Sequence, residues 1–131
     1  MTLRVGTLGA GFSNESQIIE TKYSFTADTG AIADYVMTSG ASEAIMVKLL
    51  AIKVKTAATS AGAATLTVET SDTADAFLNS KAVASFTVGA VLLPDVTGFV
   101  KVAAAGKLQF SIEAFALTAG ELTFVWEVRN F

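Results

Sequence analysis

The sequence contains no histidine, no cysteine and a single proline among its 131 residues. Without histidine there is no imidazole general base, no Ser-His-acid triad and no imidazole ligand for a metal. Without cysteine there is neither a disulfide framework nor a thiolate metal site. These absences remove the commonest catalytic and metal-binding chemistries. The sequence therefore predicts no cofactor, and it favours a structural or binding protein over an enzyme.

Charge is also scarce. Charged residues make up 16% of the chain and hydrophobic residues 52%, with a formal net charge of −3, whereas charged residues are usually about a quarter. No run of Lys and Arg is present that could neutralise phosphates, so we predict no direct nucleic-acid partner. Ala, Thr, Ser and Gly take the place of the missing charge. Such a surface is easily desolvated and suits protein contacts; alternatively, these small residues simply fill the strands of a compact sandwich.

Lysines interrupt every long apolar stretch within a few residues, which predicts no membrane span. The N-terminal sequence has neither a basic region nor a continuous apolar core, so we also predict no cleaved export signal. Residues 1–16 contain Gly6, Gly9 and Gly11 among apolar side chains without a regular period. We predict that this segment is an extended N-terminal arm that orders on contact, a frayed terminus being the alternative. Residues 17–131 are predicted to form one β-sandwich domain.

From residue 17 onward, apolar and polar residues alternate with the period of two that is typical of half-buried strands. No stretch shows a convincing helical stripe. The pattern predicts an all-β fold, an antiparallel β-sandwich in the form of a jelly roll with about eight strands. The predicted strands are 19–25, 32–37, 44–55, 65–69, 83–88, 99–102, 108–115 and 122–129.

Two local features carry more specific predictions. In the strand over 44–55, the apolar positions are odd-numbered up to Leu49 and even-numbered from Leu50 onward. A strand cannot keep one face inward through such a change without an extra residue, so we predict a β-bulge near Leu49–Leu50; a strand buried on both faces is the alternative. The last two strands are joined by Thr118-Ala119-Gly120, a short connection ending in glycine that predicts a hairpin.

A pair of carboxylates could still do acid–base work. Glu113 and Glu127 are predicted on adjacent strands with outward parity, where a catalytic pair is one interpretation and solvated surface the other. Asp72 and Asp75 lie in a predicted loop over 70–80. They could offer oxygen ligands to calcium, but their spacing does not match a calcium loop, and turn chemistry explains the same residues.

The position of each aromatic or apolar residue in its strand, inward or outward, distinguishes predicted core residues from predicted contact residues. Phe110, Phe124 and Trp126 have inward parity and are predicted in the core. Apolar residues with outward parity, together with the apolar and basic residues of the arm, are candidates for contacts with other proteins. The candidate protein-contact residues are Leu3, Arg4, Val5, Leu8, Phe12, Phe115, Val125 and Phe131.

The run Ala-Ala-Thr-Leu-Thr-Val-Glu-Thr-Ser-Asp-Thr-Ala-Asp over 63–75 resembles strands and loops of tailed-bacteriophage capsid decoration (cement) proteins, and the glycine-rich start and the closing strand over 120–131 agree with this. The resemblance implies a jelly-roll subunit, commonly a homotrimer, that binds the major capsid protein on the outer capsid surface of the virion. The resemblance does not assign a function to any individual residue of this sequence. A different class remains open: a carbohydrate- or receptor-binding jelly-roll module of a phage fibre or adhesin, which predicts exposed aromatic side chains at one end.

Overall fold

The computed structural model describes residues 16–40 and 42–130, which form nine strands, one short α-helix and one 3-10 turn. Within these two ranges no helix has the length and apolar character that crossing a membrane requires. In chain order the elements are β1 (Gln17–Ser24), α1 (Phe25–Asp28), β2 (Ala33–Val36), β3 (Ile45–Ser60), β4 (Thr65–Thr70), β5 (Leu78–Ala82), the 3-10 turn (Val83–Ser85), β6 (Val91–Leu92), β7 (Val100–Val102), β8 (Leu108–Glu113) and β9 (Leu117–Asn130).

The strands form two sheets. Sheet 1 has the order β1-β9-β3-β6, with β7 also paired to β3, and sheet 2 has the order β2-β8-β4-β5. Every strand pair is antiparallel. Both sheets contribute to one continuous hydrophobic core. The predicted all-β class and the antiparallel sandwich are therefore confirmed.

Aromatic side chains dominate the core. Trp126 is fully buried, and its indole Nε1–H donates to Thr21 Oγ1 at 2.9 Å. The Thr21 hydroxyl in turn lies 3.3 Å from Met37 Sδ. Phe77 packs edge-on against the indole, with ring centroids 5.1 Å apart. Because the polar atom of the indole has a partner, the largest side chain of the core is buried without an unsatisfied donor. Phe110 and Phe124 are buried as predicted.

Two tyrosines fasten the connection between β1 and β2. The Tyr23 hydroxyl donates to the Thr29 carbonyl, and the Tyr35 hydroxyl donates to the Ala31 carbonyl at 2.7 Å. Burial raises the pKa of Tyr23, and the nearby Tyr35 and Asp28 raise it further. The connection begins with the short helix α1, which is followed by Thr29 in the left-handed region at φ 67°.

The predicted irregularity near Leu49–Leu50 is confirmed. Leu49 pairs with Trp126 of β9 and Ala51 pairs with Val125, so that Leu50 is the extra residue of a bulge. The bulge lets the even-numbered apolar residues after it face the same core as the odd-numbered ones before it.

The predicted hairpin at the end of the chain is wrong. β8 pairs with β2 and β4 in sheet 2, whereas β9 pairs with β1 and β3 in sheet 1. Residues 114–116 cross between the sheets, with Ala114 at φ 74°, and Thr118-Ala119-Gly120 lies inside β9. Alternation identified both segments as strands, but it carries no information about which strand each one pairs with.

The predicted strand over 83–88 is wrong as well. Val83–Ser85 forms a 3-10 turn closed by a 2.9 Å bond from the Phe86 N–H to the Val83 carbonyl, and both of these residues are buried. A three-residue spacing of buried side chains suits this turn rather than a strand. The strand of this region, β5, lies partly inside the predicted loop over 70–80. Its sequence Leu-Asn-Ser-Lys-Ala has little β-propensity, and pairing with β4 holds it in place.

Candidate protein-contact surfaces

Six of the eight predicted contact residues lie outside the residues that the structure describes: Leu3, Arg4, Val5, Leu8, Phe12 and Phe131. Phe115 lies in the connection between β8 and β9 and is 46% exposed. Its ring packs over Gly62, where any Cβ atom would collide with the ring. Phe115 is thus a partly exposed side chain whose other surface covers the connection between β3 and β4.

Val125 lies in the middle of the outer face of sheet 1 and is half-buried. Its neighbours across the strands are Glu20 on β1 and Ala51 on β3. An ion pair between Lys53 Nζ and Glu20 Oε2, at 3.4 Å, crosses β9 beside it. Eight residues separate Val125 from the start of β9, about 27 Å in an extended strand. Val125 and Phe115 therefore belong to different surfaces and do not form one contact patch.

An apolar surface that the sequence analysis missed lies on the connection that contains β6. Seven large hydrophobic side chains of the described residues are exposed, and four of them come from residues 88–96. We call these four the contact ridge: Val88, Val91, Leu93 and Val96, which are 71%, 61%, 70% and 38% exposed. Exposed apolar side chains that lie this close together in the chain are candidates for contact with another molecule.

A cavity of about 290 Å³ opens beside the contact ridge and is lined by Lys48, Leu49, Leu50, Leu93, Pro94 and Thr97. It lies along β3 between the positions paired with β7, Ile45 to Val47, and those paired with β6, Ile52 and Lys53. The bulge residue Leu50 lies in this interval. The irregularity that keeps the core continuous thus also supplies an apolar side chain to the cavity.

The backbone of the ridge is anchored to sheet 2. The Asp95 N–H donates to the Phe77 carbonyl at 2.9 Å, and the Asn79 N–H donates to Asp95 Oδ2 at 2.9 Å. On the sheet 1 side, the Val54 N–H donates to the Ala90 carbonyl at 2.9 Å. These bonds hold the ridge in a defined position, so that binding there does not require the ordering of a loose loop.

Cations form a rim at one end of this surface. Lys48 Nζ lies 5.7 Å and Arg129 Cζ 5.2 Å from the centroid of the Phe99 ring, within the range of cation–π attraction. An apolar centre with a charged border is the usual anatomy of a protein–protein contact.

A second groove, of about 390 Å³, lies near Phe115 and is lined mostly by small residues from the end of β3, the start of β4 and the end of β5. Its lining residues are Ala58, Thr59, Ser60, Gly62, Ala63, Ala64, Thr65, Ala82, Val83 and Ala84. It carries no charged side chain, and we assign it no ligand.

The two carboxylates considered as a catalytic pair lie on opposite faces of the sandwich. Glu127 is on the outer face of sheet 1 and pairs with Ile18 and Lys48. Glu113 is on the outer face of sheet 2, where its Oε1 accepts a 2.7 Å bond from the Thr67 hydroxyl. With the whole sandwich between them, the two groups cannot act on one bond.

Asp72 takes part in turn chemistry. Its Oδ1 accepts a 2.7 Å bond from the Thr70 hydroxyl, and that hydroxyl accepts a 2.9 Å bond from the Thr73 N–H. Its Oδ2 lies 3.3 Å from the Ala103 N–H, which links this loop to the connection after β7. Over residues 16–40 and 42–130, no three His, Cys, Asp or Glu side chains are grouped so that they could hold a metal ion.

Comparison with known proteins identifies the fold. No family model and no curated protein matches the sequence. A chain in the capsid asymmetric unit of cyanophage Pam1 is similar in structure, with a TM-score of 0.66 and 15% identity, over 96% of this chain and 92% of that chain. A chain in the acidic stable capsid structure of Helicobacter pylori bacteriophage KHP30 has a TM-score of 0.60 and 14% identity, over 91% and 90%. This sandwich therefore shares its fold, nearly from end to end, with chains found in two phage capsid structures.

Proposed function

We propose that this protein is a structural component of a bacteriophage virion, a capsid decoration or cement subunit that binds the outer capsid surface and stabilises it by repeated protein contacts. The observation that carries the proposal is the likeness in fold, over nine-tenths or more of each chain, to chains of two phage capsid structures. The role needs binding surfaces and no catalysis.

The order of the strands supports the jelly-roll form of the sandwich. β6 and β7 pair with the same strand, β3, and can be counted as one interrupted strand. The two sheets then contain four strands each, β1-β9-β3-β6/7 and β2-β8-β4-β5. Along the chain, β1 and β3 lie in sheet 1 and β2 and β4 lie in sheet 2. The last strand, β9, lies beside the first. Two interleaved Greek keys of eight strands produce this order.

We place the contact with the major capsid protein at the contact ridge. Burial of its exposed apolar side chains stabilises the complex by about 25 cal/mol per Å². One such patch makes a modest contact. Repetition by the symmetry of a shell raises the total affinity through avidity. The resemblance to decoration proteins extends the proposal to a homotrimer, in which three ridges would bind at once.

The glycan-binding alternative is less well supported. A sugar platform needs exposed aromatic rings, whereas the only tryptophan, Trp126, is fully buried. Phe115 is the one large aromatic side chain of the described residues that is exposed, and it lies alone beside a groove of small residues.

The experiment that tests the proposal is co-sedimentation of the purified protein with phage shells that lack it. We expect saturable binding by the wild type, and at least about tenfold weaker binding by the double variant Val91→Ser and Leu93→Ser, since loss of about 1.4 kcal/mol has that effect. Ile32→Ser is the matched control, because Ile32 is 57% exposed and lies outside the ridge.

Circular dichroism and a thermal melt would establish that each variant is folded. If the wild type fails to bind any shell, the function is wrong. If the ridge variant binds as well as the wild type does, the function stands and the ridge is not its contact surface. Deletion of residues 2–16 tests the predicted arm in the same assay, and unchanged binding would contradict a role for the arm in capsid attachment.

A further inference from the structure

The outer face of sheet 1 is basic. Residues opposite one another in an antiparallel pair share a face of the sheet, and the core positions of β1, β3 and β9 identify which face is outward. The outward charged residues of β1, β3, β7 and β9 are six cations and three carboxylates, a formal charge of +3: Lys22, Lys48, Lys53, Lys55, Lys101, Arg129, Glu20, Glu121 and Glu127.

The outer face of sheet 2 is acidic. Its outward charged residues are Asp34 on β2, Glu69 on β4 and Glu113 on β8, a formal charge of −3. The cation within the described strands of this sheet, Lys81, pairs with Leu66, whose side chain is in the core. Lys81 therefore has inward parity and is not counted among the outward residues of this face.

Hydrogen bonds hold the three carboxylates of sheet 2 in place. Gln109 Nε2 donates to Glu69 Oε2 at 2.7 Å, the Thr67 hydroxyl donates to Glu113, and the Ser111 hydroxyl donates to Asp34. Each carboxylate thus accepts a bond from a buried side chain. The negative charge of this face is preorganised, which lowers the entropy that a partner must remove on binding.

The basic face is only partly neutralised by its own carboxylates. Lys53 lies 3.4 Å from Glu20, and Lys55 lies 3.6 Å from Glu121. Ion pairs as exposed as these are weak and are screened by salt. They leave the surplus of positive charge in place.

We infer that the outer face of sheet 1 of one copy docks against the outer face of sheet 2 of a second copy. Opposite charges steer the two faces together, and contacts between two like faces are repelled. The inference rests on the proposed function in one respect, that copies lie side by side on a shell. Val91 of the contact ridge pairs with Lys53 and so borders the same face, and the docked copy therefore covers the charged strands and leaves the β6 edge to the capsid. Because the two faces point in opposite directions, the contact is head-to-tail and extends as a row.

Sedimentation velocity of the purified protein tests this inference without any shell. In about 0.01 M salt, where the screening length is about 30 Å, we expect the average mass to rise with protein concentration, and in about 1 M salt, where it is about 3 Å, to fall back. A mass that does not depend on salt would overturn the inference.

Charge reversal on single faces gives the sharper result. Lys22→Glu with Lys101→Glu changes the sheet 1 face from +3 to −1, and Asp34→Lys with Glu69→Lys changes the sheet 2 face from −3 to +1. We expect each variant alone to lose the low-salt association. We expect an equimolar mixture to recover it, because the unaltered +3 face of one variant meets the unaltered −3 face of the other.

Glu43→Lys is the control, because Glu43 lies in the connection between β2 and β3. This substitution changes the net charge of the protein but leaves the charge of both faces unchanged. The inference would be overturned if both single-face variants associated as the wild type does. It would also be overturned if the mixture of the two variants did not recover the low-salt association. If the face variants self-associate normally but lose binding to shells, the faces dock on the coat protein instead. A protein that binds shells but does not self-associate contradicts this inference alone, and one that self-associates but does not bind shells contradicts the proposed function alone.

Discussion

The outer faces of the two sheets have the same place in the fold but opposite construction. Sheet 1 presents long charged side chains, most of them partly or fully exposed, and two of its carboxylates, Glu20 and Glu121, pair with lysines at the surface. Sheet 2 presents short polar side chains that are themselves buried, with Thr67 at 1%, Ser111 at 6% and Gln109 at 9% exposure. An outward position in a strand is therefore not always a solvated one, because hydrogen-bonded neighbours can cover it.

The substitution of threonine by valine is expected to give the largest difference in the free energy of unfolding between variants of the two faces. Thr67 donates to Glu113 and accepts a 3.0 Å bond from the Ser80 N–H. Thr67→Val leaves both partners without it, and we expect the free energy of unfolding to fall by about 2 kcal/mol, as measured in urea. Thr123→Val, the same change on the outer face of sheet 1, should alter it by less than about 0.5 kcal/mol. Equal effects at both sites would remove the contrast.

A smaller difference in the free energy of unfolding is expected when Glu113 on sheet 2 and Glu127 on sheet 1 are each replaced by glutamine. Glu113 Oε1 accepts from Thr67 at 2.7 Å, with the Thr65 and Ser80 hydroxyls at 3.4 Å. Glu113→Gln keeps an acceptor but loses the charge that strengthens these bonds, so we expect a loss of about 1 kcal/mol in urea unfolding at neutral pH. Glu127→Gln on the other face should leave the stability close to that of the wild type. A larger loss at Glu127 would show that the faces have been assigned the wrong roles.

The smallest effect is expected where sheet 1 uses an ion pair. Lys53→Met breaks the pair with Glu20, both side chains of which are about half exposed. We expect a change of less than about 0.5 kcal/mol that disappears in high salt. A double-mutant cycle with Glu20→Gln isolates the pair. A coupling well above about 1 kcal/mol would mean that this face is as tightly organised as sheet 2.

Much of the fold could be predicted where the sequence pattern responds to burial alone. The inward parity of Phe110, Phe124 and Trp126 identified core residues correctly. The change of parity at Leu50 predicted the bulge, since one side of β3 must face the core along its whole length. Prediction failed where a segment has no pattern of its own. β5 and β6 are short edge strands held by their partners β4 and β3.

The contact surfaces show the same limit. Parity predicted that both Phe115 and Val125 point outward. Phe115 is partly exposed, whereas Val125 is half-buried beside an ion pair formed by residues distant in the sequence. The contact ridge was missed because its apolar run ends in Pro94 and reads as an ordinary connection. Its exposure follows from β6 being the edge of sheet 1, which no local pattern indicates.

The sequence by itself determined the class of the fold, the inward and outward sides of its longer strands, and the lack of histidine and cysteine chemistry, because these depend on residue type and on a period of two along the chain. The tertiary structure alone decided which strands are neighbours. That choice separates β8 from β9, brings Leu50 beside Leu93, and places six outward cations on the strands of sheet 1, whereas the outward charged residues on the strands of sheet 2 are three carboxylates. Strand pairing joins residues far apart in the chain through backbone hydrogen bonds that are nearly the same for every residue type, so the side-chain pattern of a single strand cannot specify its partner.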